Sequence, residues 1–457
     1  MKAYPMGAVA SPLRQIAEDR GGRIPERLLA KLWKERAARL TALRTESGRR
    51  IRVVYPGRSG VTAGPDFRDA LLEVEGVGFV RGDVELHIRQ KDWDSHGHGG
   101  DPNYNGVVFL GALEVHSEET RLQSGVQAPV VDLSALLVDS ATPAFESESD
   151  SEFGPLIDLW QVLSQRGFPR PKTLDEVEKS LDLAGDRRFQ WKSGWLFQCI
   201  QAEGPNQASD QGLMEGLGYR TNQRPFIELA SVVPYQVLAQ AAEQLEAGQR
   251  CAAISGWLLG RSGLGGSMSA FSPNEIGESP PQPKLPQGLG AAMNREEWRL
   301  FRVRPTNHPR RRIMGATVII DRFMPTGLSA GLREVVQQLS AAKLTAFLLA
   351  SGASGPAYVG RGRAKDLAVN VVLPFMHAWD QCQALERGEA KISSAAPGVK
   401  QLGVPEQPYR GFALLAENEI TREMTRQLLP SRWLRAVSNA RRQQGLLHLS
   451  EVLKGAF

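Results

Sequence analysis

Four of the chain's seven histidines, His87, His96, His98 and His116, fall within a window of thirty residues together with Asp92, Asp94, Asp101 and Glu114, and Asp83 and Glu85 lie just before them. Asp66 follows a Gly-Pro turn just upstream. Imidazole and carboxylate together can hold a divalent metal or move protons near neutral pH. No other stretch of the 457 residues gathers such groups, so a catalytic centre is expected here. The ordered series runs Gly64-Pro65-Asp66-Phe67, then Gly82-Asp83-Val84-Glu85-Leu86-His87, then Asp92-Trp93-Asp94-Ser95-His96-Gly97-His98. Two carboxylates from adjacent strands can share a hard ion such as Mg²⁺. An ion held in this way orients water and screens charge developing on a phosphoryl group. Asp66, Glu85 and His87 are therefore the catalytic candidates. Asp66 and Glu85 would ligate Mg or Mn, and His87 would position or deprotonate the water or help to hold the ion. His96 and His98, with Asp101 close by, add further candidate ligands, and zinc or manganese would suit them. The plain alternative is a polar sheet face with solvated carboxylates and a histidine-bearing loop held by hydrogen bonds. His116, Trp93 and Tyr104 are expected to have structural roles.

These residues need strands to place them. Val84, Leu86 and Ile88 alternate with Asp83, Glu85, His87 and Arg89 in strict period two, which puts Glu85 and His87 on one face and the aliphatics on the other. Strands are predicted over 50–55, 70–75, 79–89 and 106–116, with a last one at 129–133, and Glu75-Gly76-Val77-Gly78 supplies a turn. Before them, Leu28, Leu29, Leu32, Trp33 and Leu40 recur at helical spacing from Pro25 onward, with Glu26 favourable in the first turn. Beyond the strands the pattern changes. Residues 139–154 are acidic, Ser-rich and poor in large apolar groups, as in a linker. Helices are expected at 174–183, 189–202, 226–245, 249–260, 295–303, 329–352, 366–387 and 418–454. A loop with five prolines interrupts them at 271–291. The fold class is thus α+β: a β-rich N-terminal domain over 1–138, with a helix packed on a mixed sheet, then a mainly α-helical body over 155–270 and 292–457.

The placement of Asp66, Glu85 and His87 resembles the Asp…Glu-x-Lys arrangement of the restriction-endonuclease-like nuclease superfamily. That resemblance implies Asp66 and Glu85 as metal ligands, with His87 at the lysine position. Two departures are plain. Histidine does not guarantee the charge that lysine carries, and residues 91–105 leave little room for the helix expected after this strand. A second resemblance covers nearly the whole chain. YPGR (Tyr55 to Arg58), AGPDF (Ala63 to Phe67), GDVELH (Gly82 to His87), the DWDSHGH stretch, AGDRRFQWK (Ala184 to Lys192), GLMEGLGYRTNQRPFIELA (Gly212 to Ala230), RVRPTNHPRRRI (Arg302 to Ile313), NVVLPF (Asn370 to Phe375) and ARRQQGLLHL (Ala440 to Leu449) resemble the bacterial family known as domain of unknown function 2851. What this resemblance implies about activity is limited, because that family is uncharacterised.

Composition narrows the remaining classes. With 42% hydrophobic and 23% charged residues the chain can bury ordinary cores. A net charge of +5 permits an anionic partner without requiring one. Three scattered cysteines, Cys199, Cys251 and Cys382, give neither a disulfide framework nor a metal knuckle. No signal peptide or membrane span is expected, so a cytoplasmic location is the default. GWLLGRSGLGGS (Gly256 to Ser267) lacks the Gly-Lys-Ser/Thr of a phosphate loop. Arg58, Arg187, Arg188, Lys192, Arg304 and Arg312 are candidates for contacting DNA or RNA phosphates, against helix ends and ion pairs as the plainer reading of any one of them. The functional expectation is a metal-dependent phosphodiesterase or nuclease. The alternatives are a non-enzymatic nucleic-acid or protein binding scaffold, with those carboxylates engaged by arginines such as Arg58 and Arg89, and a zinc-dependent small-molecule hydrolase.

Overall fold

A computed structural model describes residues 25–39, 43–60, 64–137, 159–265, 285–300, 303–338, 341–352, 356–388 and 408–453. The expected acidic linker at 139–154 and most of the proline-rich loop lie outside them. The architecture is α+β, a mixed sheet followed by a mostly helical body. Two compact units divide the chain. One is drawn from the chain up to Lys172, from Glu419–Ser431 and from Leu449 onward; the other comprises Thr173–Asn418 and Arg432–His448.

The first unit opens with α1 (Glu26–Arg36), then β1 (Leu43–Arg44), β2 (Arg50–Tyr55), β3 (Arg58–Ser59), β4 (Phe67–Val74) and β5 (Gly78–Arg89). After a single-turn α2 (Asp92–Ser95) come β6 (Val107–Glu114), β7 (Glu119–Arg121) and β8 (Gln127–Asp132). The sheet order is β1-β2-β4-β5-β6-β8-β7, with β3 paired to β4. β2 with β4 and β4 with β5 are antiparallel, whereas β5 with β6 and β6 with β8 are parallel. A parallel return needs a crossover, and 92–104 supplies it as three single helical turns in place of one long helix. α1 lays Leu29, Leu32 and Trp33 on the sheet face that carries Phe67, Val84, Leu86 and Phe109. On the opposite face the crossover contributes Trp93 and Tyr104, which pack with Val107, Leu110 and Val130. The residues between the aliphatics of β5, Glu85 and His87, therefore face the crossover, as their alternation requires.

The helical unit is built on α4 (Leu174–Leu217), which follows a short α3 (Leu159–Ser164). A Thr173–Glu176 capping box starts it, and a non-helical Gly204 before Pro205 kinks it. The two helices expected at 174–183 and 189–202 are thus one. The helix expected over 226–245 is divided at Pro234 into α5 (Tyr219–Val232) and α6 (Tyr235–Glu243), because proline cannot continue the hydrogen-bond ladder. Of the helix expected at 295–303, the described residues form the turn Arg295–Glu297, after which Trp298 is extended and buried, its Nε1 donating to the Ser262 carbonyl at 2.7 Å. The remaining α-helices among the described residues are α7 (Ala247–Arg261), α8 (Pro309–Phe323), α9 (Leu328–Gln338), α10 (Ala341–Phe347), α11 (Arg361–Leu367), α12 (Leu373–Glu386), α13 (Glu419–Leu428) and α14 (Ala440–Leu453), of which α13 and the end of α14 belong to the first unit.

α4 and α14 approach closely where Gly445 meets Leu181. A Cβ at Gly445 would lie 2.2 Å from the Leu181 carbonyl oxygen, which is backbone and cannot swing aside. Gly445→Ala is expected to lower stability by about 1–3 kcal/mol, read as a shift in urea midpoint at unchanged m-value. A midpoint within error of wild type would show that the helices separate freely.

Candidate functional site

Asp66 sits at the mouth of β4, where the pairing with β5 ends. Phe67 opposes Val84, and beyond it the ladder is continued by side chains. The Asp66 N–H donates to Glu85 Oε2 at 2.8 Å, and the Leu86 N–H donates to Asp66 Oδ2 at 3.2 Å. Carboxylates on the two strands are thereby fixed against each other. A bulge between Phe67 and Ala70 bends β4 just past this point. Within it Asp69 adopts φ +62°, a region that non-glycine residues rarely visit. Three partners hold it there: Arg58 and Arg81 pair with its carboxylate, and its own N–H donates to Asp83 Oδ1 at 3.0 Å. Bulges beside sites of this kind re-aim the strand.

The imidazoles close the other side. His87 is buried, and its Nδ1 lies 3.1 Å from Glu26 Oε1 at the start of α1. A carboxylate accepts, so Nδ1 carries the hydrogen, and in the neutral ring that tautomer leaves Nε2 as the acceptor. That Nε2 is buried without a hydrogen-bond partner and lies 3.8 Å from Glu85 Oε1. His98 Nε2 lies 3.4 Å from the same oxygen. The His87 and His98 rings stack at 5.3 Å, and His96 stands edge-on to both at 5.1 and 5.4 Å. One ligand atom from each of His87, His96 and His98 can be chosen so that all lie within 4.8 Å of one another. Tyr104 stacks on His98 at 4.1 Å, with Trp93 at its edge. His96 and His98 reach this position because Gly97 between them takes φ +75°.

The electrostatics follow from crowding. Burial, and then the nearby Asp66 charge, raise the Glu85 carboxyl well above its ordinary range, while the Asp66 N–H acts in the opposite sense. Burial also raises Asp66, partly countered by the Leu86 N–H and by His87. Burial and the other two imidazoles push His98 down to about 4, so it is neutral at physiological pH and free to act as a ligand. Tyr104 is pushed up to about 12, chiefly by burial and then by Glu85.

The structure therefore brings together Asp66, Glu85, His87, His96 and His98. Asp101 stands beside them but is engaged in capping the next turn, accepting from Asn103 N and Nδ2, each at 2.8 Å. His116 is exposed at the end of β6. Several of the basic candidates are engaged within their own unit. Arg58 is paired with Asp69, Arg188 donates to Gln444 at 2.9 Å, and Arg187 is half-buried beside it on α4. Burial, and then Arg188, lower Lys192 to about 8. Arg304 is exposed. Arg312 is buried and donates to the Tyr358 carbonyl, the Tyr219 hydroxyl and Asn307 Oδ1. Glu26 is the site residue that sequence reasoning missed. It was legible only as a favourable first-turn acid, and no local pattern ties it to a histidine 61 positions away.

Fold and site together define an α+β protein with a half-buried histidine–carboxylate centre on one face of its sheet. The chain belongs to the family described as "Protein of unknown function (DUF2851)", whose model matches residues 26–396. No curated protein and no solved structure matches it.

Two outcomes are expected in solution. Raised Glu85 and Asp66 values mean that the folded, metal-free protein holds protons that the unfolded chain has released. Their contribution is fully present below the ordinary carboxylate range of about 4 and is lost as pH rises through the raised folded-state values. Thermal midpoints of EDTA-treated protein should fall from about pH 5 to about pH 8, and Glu85→Gln should flatten that fall; an equally steep fall in the variant would contradict the assignment. Gly97→Ala, forced into the left-handed region, should cost about 1–2 kcal/mol in chemical denaturation.

Proposed function

We propose that the protein is a metal-dependent phosphodiesterase acting on nucleic acid, with its centre at Asp66, Glu85, His87, His96 and His98. The observation that carries the reading is convergence. Asp66 and Glu85 come from neighbouring strands and are locked to one another, and Glu85 Oε1 faces both His87 and His98. In a scaffold with a merely polar sheet face, these carboxylates would be expected to point apart or be neutralised by arginine. Instead Arg58 pairs with Asp69 and Arg89 with Asp92, while Glu85 Oε1 faces His87 and His98.

The donor set fits a divalent ion: a neutral imidazole in His98, an unpartnered buried Nε2 in His87 and a carboxylate oxygen between them. Such an ion, when bound, would lower the pKa of its water and screen charge on the phosphoryl oxygens. The chain's own residues supply the rest. Glu85 has one oxygen on the Asp66 N–H and the other toward the imidazoles, so its orientation is fixed before substrate arrives. Asp66 has one oxygen on the Leu86 N–H, which orients its carboxylate to accept a proton from an attacking water. Trp93 and Tyr104 wall the site on the crossover side. The nucleic-acid part of the reading rests on the arginine-rich stretch 302–312, of which Arg304 is exposed.

The test is cleavage of single- and double-stranded DNA and RNA with Mn²⁺, Mg²⁺ or Zn²⁺ supplied. Wild type should cleave at least one of them. Glu85→Gln and Asp66→Asn, confirmed folded by circular dichroism, should be slower by about 100-fold or more. Equal rates in wild type and Glu85→Gln, or no cleavage under any metal, would reject the activity.

A further inference from the structure

We infer that His87, His96 and His98, with Glu85 as the fourth donor, form a site for a single borderline transition ion of the zinc class rather than for Mg²⁺, and that Glu26 is the positioning residue that holds His87 ready for it. Mg²⁺ demands oxygen ligands in near-octahedral array and keeps several waters. Three nitrogens and one carboxylate oxygen are instead the donor set of zinc and its neighbours.

Four observations support this, none of which needs the chemistry of cleavage. First, the ligand atoms of the three histidines already lie within 4.8 Å of one another. Tetrahedral nitrogens on zinc sit about 3.4 Å apart, so the widest pair has to close by roughly 1.4 Å, within the reach of modest side-chain rotations. Second, His87 Nε2 is buried and has no hydrogen-bond partner, a state that costs free energy unless something else takes the lone pair. Third, the remaining nitrogen of that ring is held by Glu26 at 3.1 Å, the carboxylate–histidine arrangement that fixes ring and tautomer behind a metal. Fourth, the cluster reaches solvent: His87 is buried and His98 half-buried, but His96 is exposed, so an ion can arrive from the His96 side. Glu26 lies on α1 and the other donors lie on β5 and the crossover, so one bound ion would tie three elements of the sheet unit together.

The site is that of the proposed phosphodiesterase, but the inference concerns the ion and not the reaction. Full-length protein is stripped with EDTA, confirmed folded, and loaded separately with Zn²⁺ and Mg²⁺; bound metal is measured after gel filtration, and Co²⁺ is added as an absorbing probe. Wild type should retain about one equivalent of zinc and no magnesium, and Co²⁺ should give the intense visible bands of a low-coordinate nitrogen-rich site. His96→Ala, which removes an exposed side chain, should weaken zinc binding by about tenfold or more, and Glu26→Gln by about 10–100-fold. His116→Ala, the histidine of the window outside the triad, should leave it unchanged. Folded wild type that emerges without zinc, or His96→Ala and His98→Ala variants that bind zinc as wild type does, would overturn the inference. Zinc held by a chain that cleaves no phosphodiester would leave it standing and remove the proposed activity. Mg²⁺-driven cleavage by a chain that refuses zinc would do the reverse.

Discussion

The site depends on a reciprocal pair of hydrogen bonds at the point where β4 and β5 part. The Asp66 N–H goes to the Glu85 carboxylate, and the Leu86 N–H goes to the Asp66 carboxylate. Each strand thus lends a side chain to satisfy the backbone of the other, in the place where a further ladder bond would otherwise be needed. Pro65, the residue before Asp66, has no N–H to offer, and the chain at that point leaves the sheet. The geometric consequence is that two carboxylates, which repel when charged, are held near one another by bonds that also finish the sheet. The fold cannot relieve the repulsion by letting one side chain swing into solvent without exposing an unpaired backbone group. What remains is proton uptake or a cation, and the raised pKa values record the first of these.

The bulge and the crossover give this lock its surroundings. Asp69 is held in a left-handed conformation by two arginines and by Asp83, and this is where the register between β4 and β5 changes. Arg58 and Arg81 thus act on the site through backbone shape. On the other side, the short crossover from β5 to β6 has room for only single turns, but those turns carry Trp93, His96, His98 and Tyr104. A long helix would have spread these side chains around its circumference. Three tight turns stack them over Glu85 and His87, with aromatic faces replacing the water that would otherwise solvate the imidazoles.

Much of this was legible in the residues. The strict alternation from Asp83 to Arg89 placed Glu85 and His87 on one face, and the polar tract 91–105 announced that no ordinary helix could follow. Strand positions from Arg50 to Tyr55 and from Phe79 to Arg89 follow from period-two patterning, because each strand has one or both faces buried. Long-range partners were not legible. Glu26 reaches His87 because α1 crosses the sheet with its first turn beside the end of β5, a fact of packing and not of spacing. The same holds for the basic residues. Arg312 is buried against Tyr219 and Tyr358, and Arg441 and Arg442 are engaged by Glu178, Asp182 and Asp186 of α4. In one dimension a guanidinium that serves packing looks the same as one that waits for phosphate. Helix breaks were missed even where proline made them: the expected helix over 226–245 runs through Pro234, and the helical backbone of α4 is interrupted at Gly204, before Pro205.

The comparison with buried charge elsewhere in the chain sharpens the case for a ligand. Asp69 has two arginines, Arg441 has two aspartates, and Arg312 leaves its Nε unbonded but donates through both terminal nitrogens. These groups are neutralised or satisfied by their neighbours, so burial costs them little. His87 differs from these three. Its donor nitrogen is satisfied, its acceptor nitrogen is not, and the groups nearest that lone pair are a carboxylate and two further imidazoles, all of which are themselves ligands rather than donors of choice. A structural histidine would be expected to face a backbone N–H or a hydroxyl. An arrangement in which lone pairs confront one another across a few ångströms is unfavourable for a protein alone, and it becomes favourable once a cation or a shared proton lies between them.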